Sequence, residues 1–344
     1  MSVLPFEKVL RDVSRGVRKI PQREFLPEGL HPVIDQGQQL VAGFSNCDEG
    51  LCTTVPAIVF GDHTRCVKFV DEPFVAGADG VKILVAVRDG DNPRYLYHAL
   101  RSADIPSLGY SRHFKLVKEL TFVMPDRNQQ DEVVRLLDGI LERRSFAEKQ
   151  LDTLDELVKS RFVEMFGDPD TNPLGFDSKP GSKLFKIGNG KAKPNAERFE
   201  RGVPAYGGNG VSWYTNEALV EHATIVIGRV GRHCGNTRLV EEPCWVTDNA
   251  MFIKDFRDTS FDLSFLSWLM EIIGFNRFAD KGDLWKITQK PFMEYDFYTP
   301  PLVLQQEFAA FVRQVDKLKF ETQQAIDKLQ MLYDSLAQEY FAID

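Results

Sequence analysis

Two stretches of this chain, far apart, end in the same way. LDELVKSRFVEMFGDP (residues 154–169) and IDKLQMLYDSLAQEYF (326–341) can be laid on each other with an offset of 175 residues. Leu151, Leu154, Leu157 and Ser160 then fall on Ile326, Leu329, Leu332 and Ser335. Pro125 falls on Pro300, Glu132 on Glu307, Glu164 on Glu339 and Phe166 on Phe341, and FVMP (122–125) faces FYTP (297–300). A period this long implies duplicated domains and excludes a solenoid of small repeats. Upstream the match persists with a drifting offset: PAIVFG (56–61) resembles ATIVIG (223–228), and Glu72-Pro73 corresponds to Glu242-Pro243. Each half therefore reads as a variable, strand-rich globular part followed by a long helix.

The helices carry heptads. Val133, Leu137, Ile140, Arg144, Ala147, Leu151, Leu154 and Val158 step alternately by four and three, as do Phe308, Val312, Val315, Lys319, Thr322, Ile326, Leu329 and Tyr333. Such spacing makes a coiled-coil seam, in which one charged residue weakens packing but fixes register. That residue stands at the same phase in both copies, Arg144 and Lys319. Prolines 125, 300 and 301 precede the helices and Gly167-Asp168-Pro169 stops the first. A helix of about 40 residues spans about 60 Å, and a stripe so narrow needs a partner. The simplest burial packs the two helices antiparallel on each other, which the intervening globular part permits. Two separate bundle helices, or a dimerisation device, are the alternatives.

With 344 residues, 43% of them hydrophobic, the chain is long enough for about two domains. No apolar run approaches the length of a membrane span and the start has no signal core, so a soluble, cytoplasmic protein is expected. Five cysteines at irregular spacing fit reduced thiols. Cys47, Cys52, His63 and Cys66 could supply four zinc ligands but contain no C-x-x-C pair, and no metal is expected there. The net charge of −8 resides in the two helical stretches, 126–170 and 302–344. Residues 178–240 instead hold ten basic side chains against four acidic ones, which leaves room for a polyanion.

Catalytic signatures are near misses. Asp170, Asp177 and Lys179 mimic the spacing of a metal-dependent nuclease, but in a Pro/Gly-rich linker instead of on adjacent strands. Gly181-Ser182-Lys183 lacks the partner glycine of a phosphate loop, and GNGKAK (188–193) lacks the third glycine of a dinucleotide turn. The Asn-Pro-Pro-aromatic segment with which amino-methyltransferases hold a base is missing. No catalytic residue is assigned.

Long polar side chains on Gly-rich loops are the candidates for meeting such a polyanion, because glycine lets backbone approach closely while Arg and Asn can make bidentate contacts. In the second half these are Lys191, Lys193 and Asn195, then Gly207, Gly208 and Asn209 with Trp213 and Tyr214, then Arg229, Arg232 and His233, and finally Lys281 and Lys286. In the first half they are Gln36, Gln38, His63, Arg65 and Lys68, with Arg112, His113 and Lys115 on a return segment.

GVPAYGGNGV (202–211), ATIVIGRVGRHCGN (223–236), EEPCWVTDNAMFI (241–253) and KGDLWKITQKPF (281–292), together with the two helical endings, resemble the specificity subunit of type I restriction-modification enzymes over essentially the whole chain. HPVIDQGQ (31–38) and EPFVAGADGVKILV (72–85) depart more from that pattern. The resemblance implies a mixed α+β fold with tandem pseudo-twofold repeat: a first target recognition domain (1–125), a central spacer helix (126–168), a second recognition domain (169–300) and a C-terminal spacer helix (301–344), the helices forming an antiparallel coiled coil. It further implies that each half reads one part of a split, asymmetric target in double-stranded DNA, and that two methyltransferase subunits and restriction/translocase subunits are the partners. S-adenosylmethionine, ATP and Mg²⁺ would belong to those partners and no cofactor to this chain. A protein-binding coiled-coil scaffold and an autonomous metal-dependent nuclease are the competing readings.

Overall fold

The computed structural model describes residues 2–77, 80–258 and 260–342. The chain forms two compact units, Met1–Lys149 with Gln323–Asp344, and Gln150–Thr322. Two forty-residue helices, Arg127–Phe166 and Leu302–Phe341, each contribute one half to either unit.

In the second unit the segment TIVIG is apolar throughout because it is a central strand with both faces covered. It forms Thr224–Gly228, all five residues buried, between Ala250–Phe256 and Thr237–Val240, with Phe185–Asn189 at the far edge. The neighbours run antiparallel, Ile225 lying opposite Leu239 and Ile227 opposite Met251. Helix Leu263–Ile273 packs on this sheet. It starts where the Asp262 carboxylate accepts from the amides of Ser264 and Phe265, and stops at Gly274, whose φ of +68° suits glycine. A smaller sheet pairs Val203–Gly207 with Gly210–Thr215 antiparallel and with Trp245–Val246 parallel. Ser178–Pro180 and Asp296–Tyr298 pair to close the globular part. Phe162, Phe166 and Phe308 from the two long helices meet Phe265 in one aromatic cluster.

The first unit repeats the main sheet, its covering helix and the closing strand pair, while its second sheet has five strands where the second unit has three. Its sheet runs Leu10–Asp12, Val81–Ala86, Ala57–Gly61, Val67–Val70, and helix Pro93–Ser102 packs on it. His31–Ile34 pairs antiparallel with Gly43–Ser45 and parallel with Phe74–Gly77, and Ser2–Pro5 closes on Thr121–Met124. The duplication read from the helical endings thus extends to the main sheet and its covering helix in each globular part.

Within each unit the two long helices run antiparallel. In the first, Arg144 Nη1 donates to Gln330; in the second, Lys319 Nζ donates to Asp155. These contacts are mates under the 175-residue offset, so the two charged seam positions both reach across to the facing helix. The apolar seam positions are buried or half-buried, Leu137, Val158, Phe308 and Tyr333 at 3% exposure or less. No helix among the described residues is long and apolar enough to cross a membrane.

One buried side chain per unit joins globular part to helix. Gln130, in the first turn of its helix, accepts at Oε1 from the amide of Asn92 at 2.7 Å and donates through Nε2 to the Pro125 carbonyl at 3.0 Å. Gln305, at the matching position, accepts from the amide of Asp262 at 2.9 Å and donates to the Pro300 carbonyl at 2.8 Å. Asn92 and Asp262 are the N-caps of the helices that cover the sheets, so one amide group fixes both helix starts together. Truncation orphans a buried amide and a buried carbonyl, each worth about 1–3 kcal/mol. Gln305→Ala is therefore expected to lower the urea midpoint of the second unit markedly, while Gln129→Ala, at an exposed neighbour, leaves stability alone; equal midpoints for the two variants would refute this role.

The two junctions differ chemically. In the first unit His98 is fully buried, Nδ1 facing Tyr333 Oη at 2.9 Å and Nε2 facing Asp138 Oδ1 at 2.9 Å, with Arg94 Nε also on Asp138. Burial holds the imidazole below its ordinary pKa despite its bond to Asp138. Burial alone would raise the Asp138 carboxyl, but hydrogen bonds from His98 and Arg94 outweigh it and hold the group low. The matching positions in the second unit are Trp268, Arg313 and Val158. Since folded His98 binds its proton less readily than the unfolded chain does, its contribution is complete above the ordinary imidazole pKa of about 6.5 and is lost as pH falls through that value. Thermal unfolding of the first unit should drop between pH 7.5 and 5.5, less steeply in His98→Gln; identical pH profiles would count against this reading.

Candidate nucleic-acid interface

In the second unit the chain leaves strand Thr224–Gly228 into a tight loop whose glycines are required by contact. A Cβ at Gly228 would lie 2.4 Å from the His233 carbonyl oxygen, and one at Gly190 would lie 2.0 Å from that of Thr247. Backbone therefore meets backbone. Arg229 N donates to Asn249 O at 2.9 Å, Gly231 N to Trp285 O at 2.8 Å, Ile287 N to Arg229 O at 2.9 Å and Lys191 N to Val246 O at 2.8 Å. Four loops that are distant in sequence, 189–191, 228–235, 246–249 and 285–287, are thus locked into one surface.

That surface carries three of the ten basic residues of 178–240, Lys191, Arg229 and Arg232. Lys191, Arg229, Arg232, His233, Lys281 and Lys286 are exposed on it. Lys281 Nζ lies 4.9 Å from the centroid of the Trp285 ring, and Lys286 is 3.6 Å from Asp280. Asn209, also exposed, lies with Gly207, Gly208 and Gly228 beside a cavity of about 170 Å³. Asn195 is in a short exposed turn, and Trp213 and Tyr214 are half-buried on strand Gly210–Thr215, Trp213 beneath the Arg198 guanidinium.

In the first unit the corresponding turn follows strand Ala57–Gly61. The Gln36 side chain accepts from the amide of His63 at 3.3 Å, and Thr64 Oγ1 donates to the Gln36 carbonyl at 2.5 Å. Arg65, with a φ of +62°, donates from Nη1 to the Ile105 carbonyl at 2.8 Å. Gln38, Arg112 and Lys115 are exposed.

Three residues expected at this surface are used inside the protein instead. Lys68 is buried and donates to the carbonyl of Asp35 at 2.8 Å; burial draws its pKa down while the Asp35 carboxylate pulls it back. His113 is fully buried, its Nε2 accepting from the Leu108 amide and its Nδ1 donating to the Asp62 carbonyl, which makes it a neutral imidazole. Lys193 is 8% exposed, lies 4.3 Å from the Trp245 ring centroid, and is held charged by Glu197 and Glu217 at 2.7 and 2.6 Å. Conversely, Tyr110, which lies outside the sequence candidates, is 96% exposed and stacks on His63. Its one signal in the sequence is an aromatic residue inside an otherwise small and polar turn, SLGYSRH (107–113).

The near-miss chemistry does not assemble. Asp170 is taken by Arg277, at 2.6 Å, and by Tyr295 Oη, at 2.9 Å, while Lys179 pairs with Asp258 at 2.7 Å. Among the described residues no group of three or more His, Cys, Asp or Glu could hold a metal ion, and Cys47, Cys52, His63 and Cys66 are not brought together.

Residues 175–331, which contain all of these second-unit loops, match the family described as type I restriction modification DNA specificity domain. The match covers the second half of the chain, so these residues are similar to the DNA specificity domain of that family. The EcoprrI type I restriction enzyme specificity subunit of Escherichia coli is 24% identical over 115 residues, a match that spans 33% of this chain and 28% of that relative's length. The S subunit of the type I restriction-modification system from M. genitalium has the same fold, with a TM-score of 0.62 and 17% identity over 100% of this chain and 96% of that one. A chain from a study of complex assembly and conformational transition in a type I system gives 0.54 and 15%, over 96% and 97%.

Proposed function

We propose that this chain is the DNA-recognition subunit of a type I restriction-modification enzyme, each unit reading one part of a split and asymmetric target. The observation that carries the reading is a duplicated fold whose four-stranded sheets and covering helices match while the loops at the equivalent strand ends carry different side chains. A single chain with two different readers can address a sequence that is not a palindrome, which a homodimer with identical half-site readers cannot. The long helices shared by both units would set the number of base pairs between the halves.

The helices also carry the partner surface in this reading. Leu136, Phe146, Leu157 and Val163 on one, and Leu318, Phe320, Met331 and Leu332 on the other, are exposed at 44–68%. Apolar side chains in such number, outside the seam, mark a docking surface, here for two methyltransferase subunits and, through them, restriction subunits. Those partners would bring S-adenosylmethionine, ATP and Mg²⁺, and this chain would carry no covalent step. Bases are read through Arg229, Arg232 and Asn209 on one side and through Gln38, Arg65 and Arg112 on the other, while lysines such as Lys191, Lys281, Lys286 and Lys115 hold phosphates.

Expression with the cognate methyltransferase subunit, followed by methylome sequencing, is expected to reveal one split motif with a fixed gap, absent when this chain is omitted. Replacing residues 1–125 by those of a homologue should change one half only. Arg229→Ala should weaken binding to the cognate duplex by the equivalent of about 1–3 kcal/mol. An unchanged methylome with an active, bound methyltransferase would overturn the proposal and favour a protein-binding scaffold.

A further inference from the structure

We infer that Tyr110 and Leu284 are specificity-determining contacts, each placing an apolar side chain against the base edges of one half of a DNA target. This rests on the DNA-recognition reading and deepens it.

The two residues occupy equivalent loops. One joins helix Pro93–Ser102 to the short helix Phe114–Val117, the other joins Leu263–Ile273 to Lys290–Glu294. Both loops are fastened by the same hydrogen bond. His113 N donates to Asp62 O at 2.9 Å, and Ile287 N donates to Arg229 O at 2.9 Å. Asp62 and Arg229 are the residues that immediately follow the equivalent strands Ala57–Gly61 and Thr224–Gly228. Each loop is therefore pinned to the turn at the end of its sheet, and at the equivalent position, three residues before the fastening amide, each raises its most exposed large apolar side chain, Tyr110 at 96% and Leu284 at 61%, against Leu108 at 40% and Phe278 at 45%.

Neither tip is a loose end. The Tyr110 ring lies on the imidazole of His63 with centroids 5.2 Å apart and planes 15° apart, and the His113 side chain ties the base of the loop to Leu108 and Asp62. Leu284 precedes Trp285, which is half-buried, accepts from Gly231 N and lies beneath Lys281. A single exposed hydrophobe is ordinary on any surface. Here the exposed position is duplicated with the same fastening and a different side chain, as two readers with different targets require.

The surroundings fix the kind of ligand. Arg65, Arg112 and Lys115 are exposed in the first unit, and Arg229, Arg232, Lys281 and Lys286 in the second. Cations of this kind meet phosphates, so an apolar tip set among them faces what lies between the phosphate rows. In the major groove the apolar feature on offer is the thymine methyl group.

The test uses the full chain with its methyltransferase partner. Methylomes are compared for wild type, Tyr110→Ala and Leu284→Ala, and affinities are measured on the cognate duplex and on duplexes with uracil in place of thymine at each position. Tyr110→Ala is expected to relax base preference in one half only and Leu284→Ala in the other only, each with an affinity loss of about tenfold. Removing the relevant methyl group should cost the wild type a similar factor and cost the matching alanine variant nothing. Thermal unfolding of both variants should match wild type, since neither side chain is buried. Wild-type motifs and affinities in both variants, or a change in both halves from one substitution, would overturn the inference while leaving the recognition reading intact. A wild-type chain that yields no split motif would remove the recognition reading, and this inference with it.

Discussion

The carboxamide of Gln130 satisfies a backbone amide with its oxygen and a backbone carbonyl with its nitrogen, in a site with no access to water, and Gln305 does the same 175 residues later. A buried glutamine is tolerated only when both ends are paired. That requirement couples three things in each unit: the proline that ends the globular part, the first turn of a long helix, and the N-cap of the helix that covers the sheet. Because a long helix starts at the same depth against each sheet, the readers are presented from a fixed base and only the loops at the strand ends are free to vary. Variation at those loops can then change what is bound without disturbing how the halves are held.

Polar groups do the same work along the coil. A straight apolar seam tolerates sliding by a heptad, whereas Arg144 facing Gln330 and Lys319 facing Asp155 fix one register. The value of these two contacts, one a hydrogen bond to a neutral amide and one an ion pair, lies less in net energy, which for half-exposed pairs is small, than in the alternatives they make unfavourable: a slipped register would take from each half-buried cation its partner on the facing helix. Under the proposed reading, a chain that sets a gap between two binding halves would need that uniqueness more than extra stability.

Much of this was legible in the sequence because it is local. A heptad stripe repeats every seven residues, a central strand such as TIVIG is apolar throughout, and a duplicated helix end aligns with itself, so the fold class could be read without knowing any contact. Gln130 and Gln305 were not legible, because a glutamine in a first helical turn looks like surface, and only the approach of Asn92 and Asp262 from elsewhere in the chain buries it. The same reason explains Lys68, His113 and Lys193. Each is a polar residue in a Gly-rich or turn-like stretch, and each is turned inward by a partner 5 to 51 residues away, among them Asp35, Leu108, Asp62 and Glu217. Composition marks a loop, but burial within the loop is decided by long-range geometry.

The two copies have also diverged where they cannot vary one residue at a time. His98, Asp138 and Tyr333 satisfy one another in the first unit, and the matching Trp268, Arg313 and Val158 in the second share none of that hydrogen bonding. Moving only His98 into the second unit would bury an imidazole opposite Val158, with no hydroxyl to meet its Nδ1, and moving only Trp268 into the first would orphan Tyr333. Each globular part is therefore matched to its own stretch of the helix pair, so neither half accepts the other's reader without repacking. The surface loops, by contrast, are fastened through backbone atoms at Asp62 and Arg229, which any side chain supplies. Divergence in the junction preserves which reader stands on which stretch of helix, and divergence in the loops is left free to alter the sequence that is read.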